Sequence, residues 1–201
     1  MLTIKQAEQE LTDALDLNPG PWGGHSRSVA DNARMIAEKV PNLDPEKAWV
    51  LGLMHDIGRR FGITGLAHTL DGYDYLMGMG HPEAARVCLT HSFPIKGIET
   101  FFGKVDVPPE RAAFLERFLA ETEYDDYDRL IQLCDAISLP AGACIMEKRL
   151  LDVALRHGFP EGTLEKWTAF LKLKKYFDER CGCCIYELLP NVMENSYHDL
   201  F

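Results

Sequence analysis

Apolar residues recur along most of the chain at intervals of three and four, the period of a helix with one buried face. No segment shows the alternation of period two that a half-buried strand requires. Residues 3–15 form a first amphipathic helix, stopped by Asn18-Pro-Gly-Pro21. Trp22-Gly-Gly-His25 leads into a second, with Val29, Ala33, Ile36, Ala37 and Val40 as its stripe. Asp44-Pro45-Glu46 starts a third, Asp as cap and Pro in the first turn, running through Trp49, Leu51 and Leu53 to His55-Asp56. Shorter helices follow at 66–78 and 81–92, broken at Met77-Gly-Met-Gly80. A loop from Phe93-Pro94 to Pro108-Pro109 is long enough to cover a site. Further helices fall at 109–121, 126–139, 143–157 and 163–179. With no repeat or linker, the pattern predicts one all-α domain over residues 1–180 and a tail, 181–201, packed on it as part of a C-terminal helical extension.

Leu51-Gly-Leu-Met-His55-Asp56-Ile-Gly58-Arg59-Arg60 breaks this pattern, because an apolar helix runs straight into two metal-binding side chains. Neighbours on a helix point about 100° apart. His55 and Asp56 therefore meet at one ion only where the helix ends, and Gly58 is the residue expected to let the chain turn there. Four more candidates share the placement at a helix end or inside an apolar run: His25, His68, His91 and Asp135. Asp135 lies in Leu130-Ile-Gln-Leu-Cys-Asp135-Ala-Ile137, where a lone carboxylate is costly to bury and coordination is the cheapest explanation.

Composition narrows the function. The 201 residues suffice for one real core, and 46% hydrophobic with 26% charged residues fits a globular protein. No apolar run approaches the roughly 20 residues of a membrane span, and the N-terminus lacks a basic region followed by an apolar core, which makes the cytoplasm the expected compartment. A formal charge of −10 argues against a nucleic-acid polymer or an anionic membrane as partner. It leaves room for a small phosphorylated substrate, since bound cations reverse the local field.

The ordered set of His25, His55-Asp56 and Asp135, with His55-Asp56-Ile57-Gly58 letter for letter, resembles the HD-domain superfamily of metal-dependent phosphohydrolases over roughly residues 20–140. His68, with Gly72 four residues on, and His91 resemble the extra histidines of two-metal members, which include cyclic-dinucleotide phosphodiesterases and bacterial diadenosine tetraphosphate hydrolases. The cyclic-dinucleotide group carries a paired His at the later position and a Gly-Tyr-Pro signature; here Ser92 follows His91 and no Gly-Tyr-Pro occurs. The resemblance implies an all-α fold and one or two divalent transition metals (Fe, Mn, Co, Ni or Zn, with Mg as a further option). His25, His55, Asp56 and Asp135 would hold the first metal, and Asp56 would bridge to a second held by His68 and His91. A metal-bridging hydroxide would then cleave a phosphoester or phosphoanhydride in a small nucleotide or related metabolite. Asp56, His55 and Arg59 are the implied catalytic groups.

Phosphate also calls for cations, and the candidates are Arg59, Arg60 and, in the loop, Lys96. Tyr73 and Phe93 are candidates to stack on a base or sugar, and Asp71 to orient a ligand. His81 and His157 read as helix-end residues and His198 as part of the tail. Cys181-Gly-Cys-Cys184 lacks a fourth ligand for structural zinc and reads as reduced thiols. Two rival functions share the ligand set: a di-iron oxygenase and a nucleotide-binding sensor that retains its metal. A homodimer is an option for the assembly.

Overall fold

The computed structural model describes residues 1–197, and His198 lies outside them. The chain is all-α apart from one minimal hairpin. Ten α-helices succeed one another: α1 Ile4–Leu17, α2 Trp22–Ala37, α3 Pro45–Met54, α4 Ala67–Gly78, α5 Pro82–Thr90, α6 Pro109–Glu121, α7 Asp126–Asp135, α8 Met146–His157, α9 Thr163–Cys181 and α10 Val192–Tyr197. Short 3-10 turns occupy Ile57–Phe61, Ile98–Thr100 and Ile185–Glu187. Among the described residues no helix is long and apolar enough to cross a membrane.

The helix starts follow from local chemistry. Thr3 and Gln6 form a capping box on α1, and Asp125 with Asp128 forms another on α7. Asp44 caps α3 by accepting from the Glu46 and Lys47 amides at 2.8 and 3.2 Å, with Pro45 in the first position. Asp128 is also buried, accepts from Thr90 Oγ1 at 2.8 Å and pairs with Arg86.

α3 is the central helix. Every residue from Ala48 to Met54 is buried, with α1, α2, α5 and α7 packed around it. A helix apolar on all sides is stable only when enclosed in this way. α2 approaches most closely at Gly52, where an added Cβ would stand 2.7 Å from Ala30 Cα. A smaller apolar cluster of Leu66, Leu70, Leu89, Phe93, Leu115 and Leu119 fastens α4, α5 and α6 together.

Two expectations need correction. α7 ends at Asp135 and not at 139, because the chain turns into a two-residue hairpin, β1 Ser138–Leu139 against β2 Gly142–Ala143. Gly142 makes the turn at φ 137°, and a segment this short leaves no alternation to read. Gly58 does not turn the chain: α3 has already ended at Met54, and Gly58 lies buried within the 3-10 turn. It must be glycine because a Cβ there would run into the carbonyl oxygen of His68 and the amide of Gly72 on α4. The described residues beyond α9 pack against the body. Ile185, Leu189 and Val192 enter the main core, and the tail caps α8: Tyr186 Oη accepts from the Met146 amide at 2.8 Å and Ser196 Oγ from that of Ile145 at 2.9 Å.

Gly58→Ala should destabilise the protein by roughly 2–3 kcal/mol, since the added methyl must push α4 away. Urea denaturation checks the loss. An unchanged midpoint would mean that the turn and α4 separate freely.

Candidate metal centre and substrate cavity

Five helix ends converge on one point. His55 is the C-cap of α3 and Asp56 the next residue; His25 lies in the first turn of α2 and His68 in that of α4; His91 caps the end of α5, and Asp135 closes α7. Helix ends allow this convergence because the chain turns there and successive side chains no longer follow the 100° step.

The geometry divides around Asp56, a carboxylate only 3% exposed. Its Oδ1 faces His68 Nε2 at 3.1 Å and His91 Nε2 at 3.7 Å. Oδ2 faces His55 Nε2 at 3.8 Å and accepts from Arg59 Nε at 2.6 Å. On the other side, His25 Nε2 lies 2.9 Å from Asp135 Oδ1. Two groups have ligand atoms mutually within 4.8 Å: His25, His55 and Asp135, and His55, Asp56 and His91. The imidazoles stand edge to face, with centroids 5.3 Å apart for His25 and His55 and 4.9 Å for His55 and His91.

The ring nitrogens not facing the centre have fixed partners. Nδ1 of His55 meets Gly52 O at 2.7 Å, Nδ1 of His91 meets Val87 O at 3.2 Å, and Nδ1 of His68 meets Gly65 O. A carbonyl only accepts, so each Nδ1 donates and each Nε2 presents a lone pair to the centre. There His55 Nε2, His68 Nε2 and Asp56 Oδ1 are buried without a hydrogen-bond partner. Such orphaned acceptors are costly unless a cation satisfies them. These donors fit one or two divalent transition metals.

The charge states agree. Burial, with His55 beside it, lowers His91 to about 3, and burial also lowers His25 against the pull of Asp135. Both are therefore neutral near pH 7, as a ligand must be. Burial alone would raise the Asp56 and Asp135 carboxyls. Arg59, His55 and His68 outweigh it at Asp56, and His25, His55 and Arg149 do so at Asp135, so both lie below the usual carboxylate range.

A family model described as HD domain matches residues 22–139. The chain belongs to the HD-domain family. Comparisons with curated proteins and with solved structures return no match. The HD domain places the chain in a superfamily of metal-dependent hydrolases, and its matched span carries all six converging side chains.

The centre opens into a cavity of about 570 Å³ whose far walls come from α8 and α9, beyond the matched span. Trp22, Phe101, Phe102 and Phe170 form its aromatic lining, while Arg59, Arg149, Arg156 and Lys166 supply cations. Burial, and then Arg156, Arg149 and Arg59 near it, lower the His157 pKa, so that His157 lines the cavity as a neutral imidazole. Arg149 also reaches Asp135, 3.6 Å from Nη2 to Oδ1, and donates to Asp152 at 2.9 Å. Of the cations named from sequence only Arg59 lines the cavity. Arg60 pairs with Glu10 at 3.0 Å and stacks 4.0 Å over Tyr75, and Lys96 lies over the Tyr124 ring. Tyr73 packs on Phe114 and Phe118, Phe93 is sealed in the smaller core, and Asp71 faces Arg111. Arg149, Arg156 and Lys166 escaped the reading because their helices look like ordinary amphipathic packing. The faintest signal was Lys166 itself, a charge that falls on the buried face of α9.

The long loop is a pinned wall. Lys104 O accepts from the Leu66 amide at 2.8 Å, and Asp106 accepts from the amides of Gly65 and Ala67 at 2.6 and 2.9 Å. Asp106 thus caps α4, which has no cap of its own, and holds the backbone that orients His68.

Two outcomes test this site. If the six side chains hold two ions with Asp56 as the bridge, Asp56→Ala should reduce metal content from about two ions per chain to none, and His68→Ala should remove about one. Elemental analysis of folded protein checks both; wild-type content in Asp56→Ala would reject the bridge. Lys166 is 4% exposed, and burial, opposed by Asp135, lowers it to about 8. Between pH 8 and the unfolded value the unfolded chain binds more protons, so stability should rise with pH across that window. Lys166→Met should abolish the rise and stabilise the protein at pH 7 by up to about 3 kcal/mol. Urea midpoints measured at several pH values decide this.

Proposed function

We propose that the protein hydrolyses a phosphoester or phosphoanhydride in a small phosphorylated metabolite, most simply a nucleotide. The observation that carries this reading is the pairing of a two-faced buried carboxylate, Asp56, with a cavity lined by Arg59, Arg149, Arg156 and Lys166.

His25, His55, Asp56 and Asp135 would hold one metal, and Asp56, His68 and His91 a second. Bound there, such ions would acidify a water and neutralise charge on the phosphoryl oxygens. Arg59 holds Asp56 through Nε, which leaves its terminal nitrogens to bind a phosphoryl oxygen. Phe101, against the His68 ring at 6.4 Å, restricts solvent on one side, and Trp22 and Phe170 supply flat apolar surface for a base or sugar. A volume of about 570 Å³ suits a small ligand. In a chain of charge −10, Arg59, Arg149, Arg156 and Lys166 gather positive charge at this cavity, offset in part by Asp56, Asp135 and Asp152.

Metal analysis of protein purified without chelator, then a phosphatase and nucleotide screen on the same sample, tests the proposal. About two transition metals per chain with phosphate release supports it. Two irons with oxygen uptake and no phosphate release would transfer the reading to an oxygenase. Tight nucleotide binding without turnover by the loaded protein would transfer it to a sensor. Within the hydrolase reading, Arg59→Ala should raise KM about tenfold or more, the loss of one charge-assisted hydrogen bond. An unchanged KM would leave Arg59 as a partner of Asp56 alone.

A further inference from the structure

We propose that Lys166 forms a second anion subsite in the cavity, so that the ligand carries a phosphate or carboxylate group in addition to the phosphoryl group at the metal centre. This deepens the phosphohydrolase reading and rests on it for the place of the first group.

Lys166 projects from α9 into the cavity wall, and Phe170, one turn later on the same helix, lines the same space. Its Nζ donates to Thr100 O at 2.8 Å and lies 4.5 Å from the Phe102 ring centroid. Among the described residues no carboxylate pairs with it. An ammonium has three donors, and a single carbonyl and an aromatic face satisfy them only in part. Fastening the loop carbonyl needs a donor but not a charge. A neutral side chain would do so without the desolvation that a buried, uncompensated cation carries. The charge is accounted for when an anion enters beside it.

Position fits this role. The Phe101 ring lies against His68, Thr100 and Phe102 hold Lys166, and the three residues are consecutive. His25, His68, His91 and Lys166 line the one cavity, so a ligand with a phosphoryl group among the histidines can present a second group to Lys166. The arginines already have carboxylate partners, Arg149 and Arg156 both binding Asp152, which leaves Lys166 as the cation in need of one. The lowered pKa agrees with this environment and recovers when an anion arrives.

The test uses probes that cannot be hydrolysed. Methylphosphonate carries one anionic group, methylenediphosphonate a second phosphonate, and phosphonoacetate a carboxylate. Calorimetric titration of the metal-loaded protein should show at least one of the two-headed probes binding tenfold or more tighter than methylphosphonate. Which of them does so distinguishes a second phosphate from a carboxylate. In Lys166→Gln that advantage should fall below threefold, and Lys166→Arg should restore part of it. Metal content and thermal unfolding of each variant establish that it is folded. No advantage in the wild type would overturn the subsite, and so would an advantage that survives Lys166→Gln, since it would then come from chelation at the metals. Should phosphate release fail with every substrate while the Lys166-dependent advantage persists, the subsite stands and the hydrolase reading falls.

Discussion

The carboxylate of Asp56 is the constraint to which the rest of the structure answers. It is buried at the end of a helix that is itself wholly buried, where an unpaired charge is among the most costly groups a protein can carry. Arg59 compensates one oxygen through a hydrogen bond within the same turn. The other faces two imidazoles whose second nitrogens are already committed to backbone carbonyls. Holding those rings in place requires α4 to begin and α5 to end at set points. The close contact of Gly58 with the His68 carbonyl and the Asp106 cap on α4 are what fix them. Much of the packing that encloses α3 thus also positions ligands.

This explains why the converging side chains were legible in the sequence. A polar residue inside or just beyond an apolar helical run has few explanations, and His25, His55, Asp56, His68, His91 and Asp135 all stood out by that criterion. The fold class followed from the same periodicity. Helix ends were read well where a capping side chain or proline announces them, as at Asp44-Pro45 and Pro108-Pro109, and less well at Asp135, where the stop comes from tertiary turning into a hairpin.

The cavity was legible only in part, for a physical reason. Whether a cation faces a cavity or the outside of the bundle depends on packing between elements distant in the chain. Arg60, adjacent to Arg59, is captured by Glu10 on α1 and the ring of Tyr75 on α4. Tyr73 and Phe93, on elements beside the ligands, were drawn into apolar packing. Arg149 and Arg156, well past the last ligand, reach the mouth because α8 is held there by the tail, whose Tyr186 and Ser196 bind the backbone at its start. No local pattern could signal that.

The site therefore has two origins in the chain. The matched span supplies the six converging side chains and the residues that hold them, while α8 and α9 supply most of the cations and part of the apolar wall that a substrate would meet. Conditions on the two parts differ. Ligands must sit within a narrow tolerance of one another, since displacing any one of them leaves buried acceptors unsatisfied. Cavity cations need only reach the ligand, and a charge such as Lys166 is tolerable without a protein partner if the substrate brings the partner. Chemistry and selectivity can then vary separately. Residues on the cavity face of α9 can be replaced without touching the carboxylate on which the centre depends.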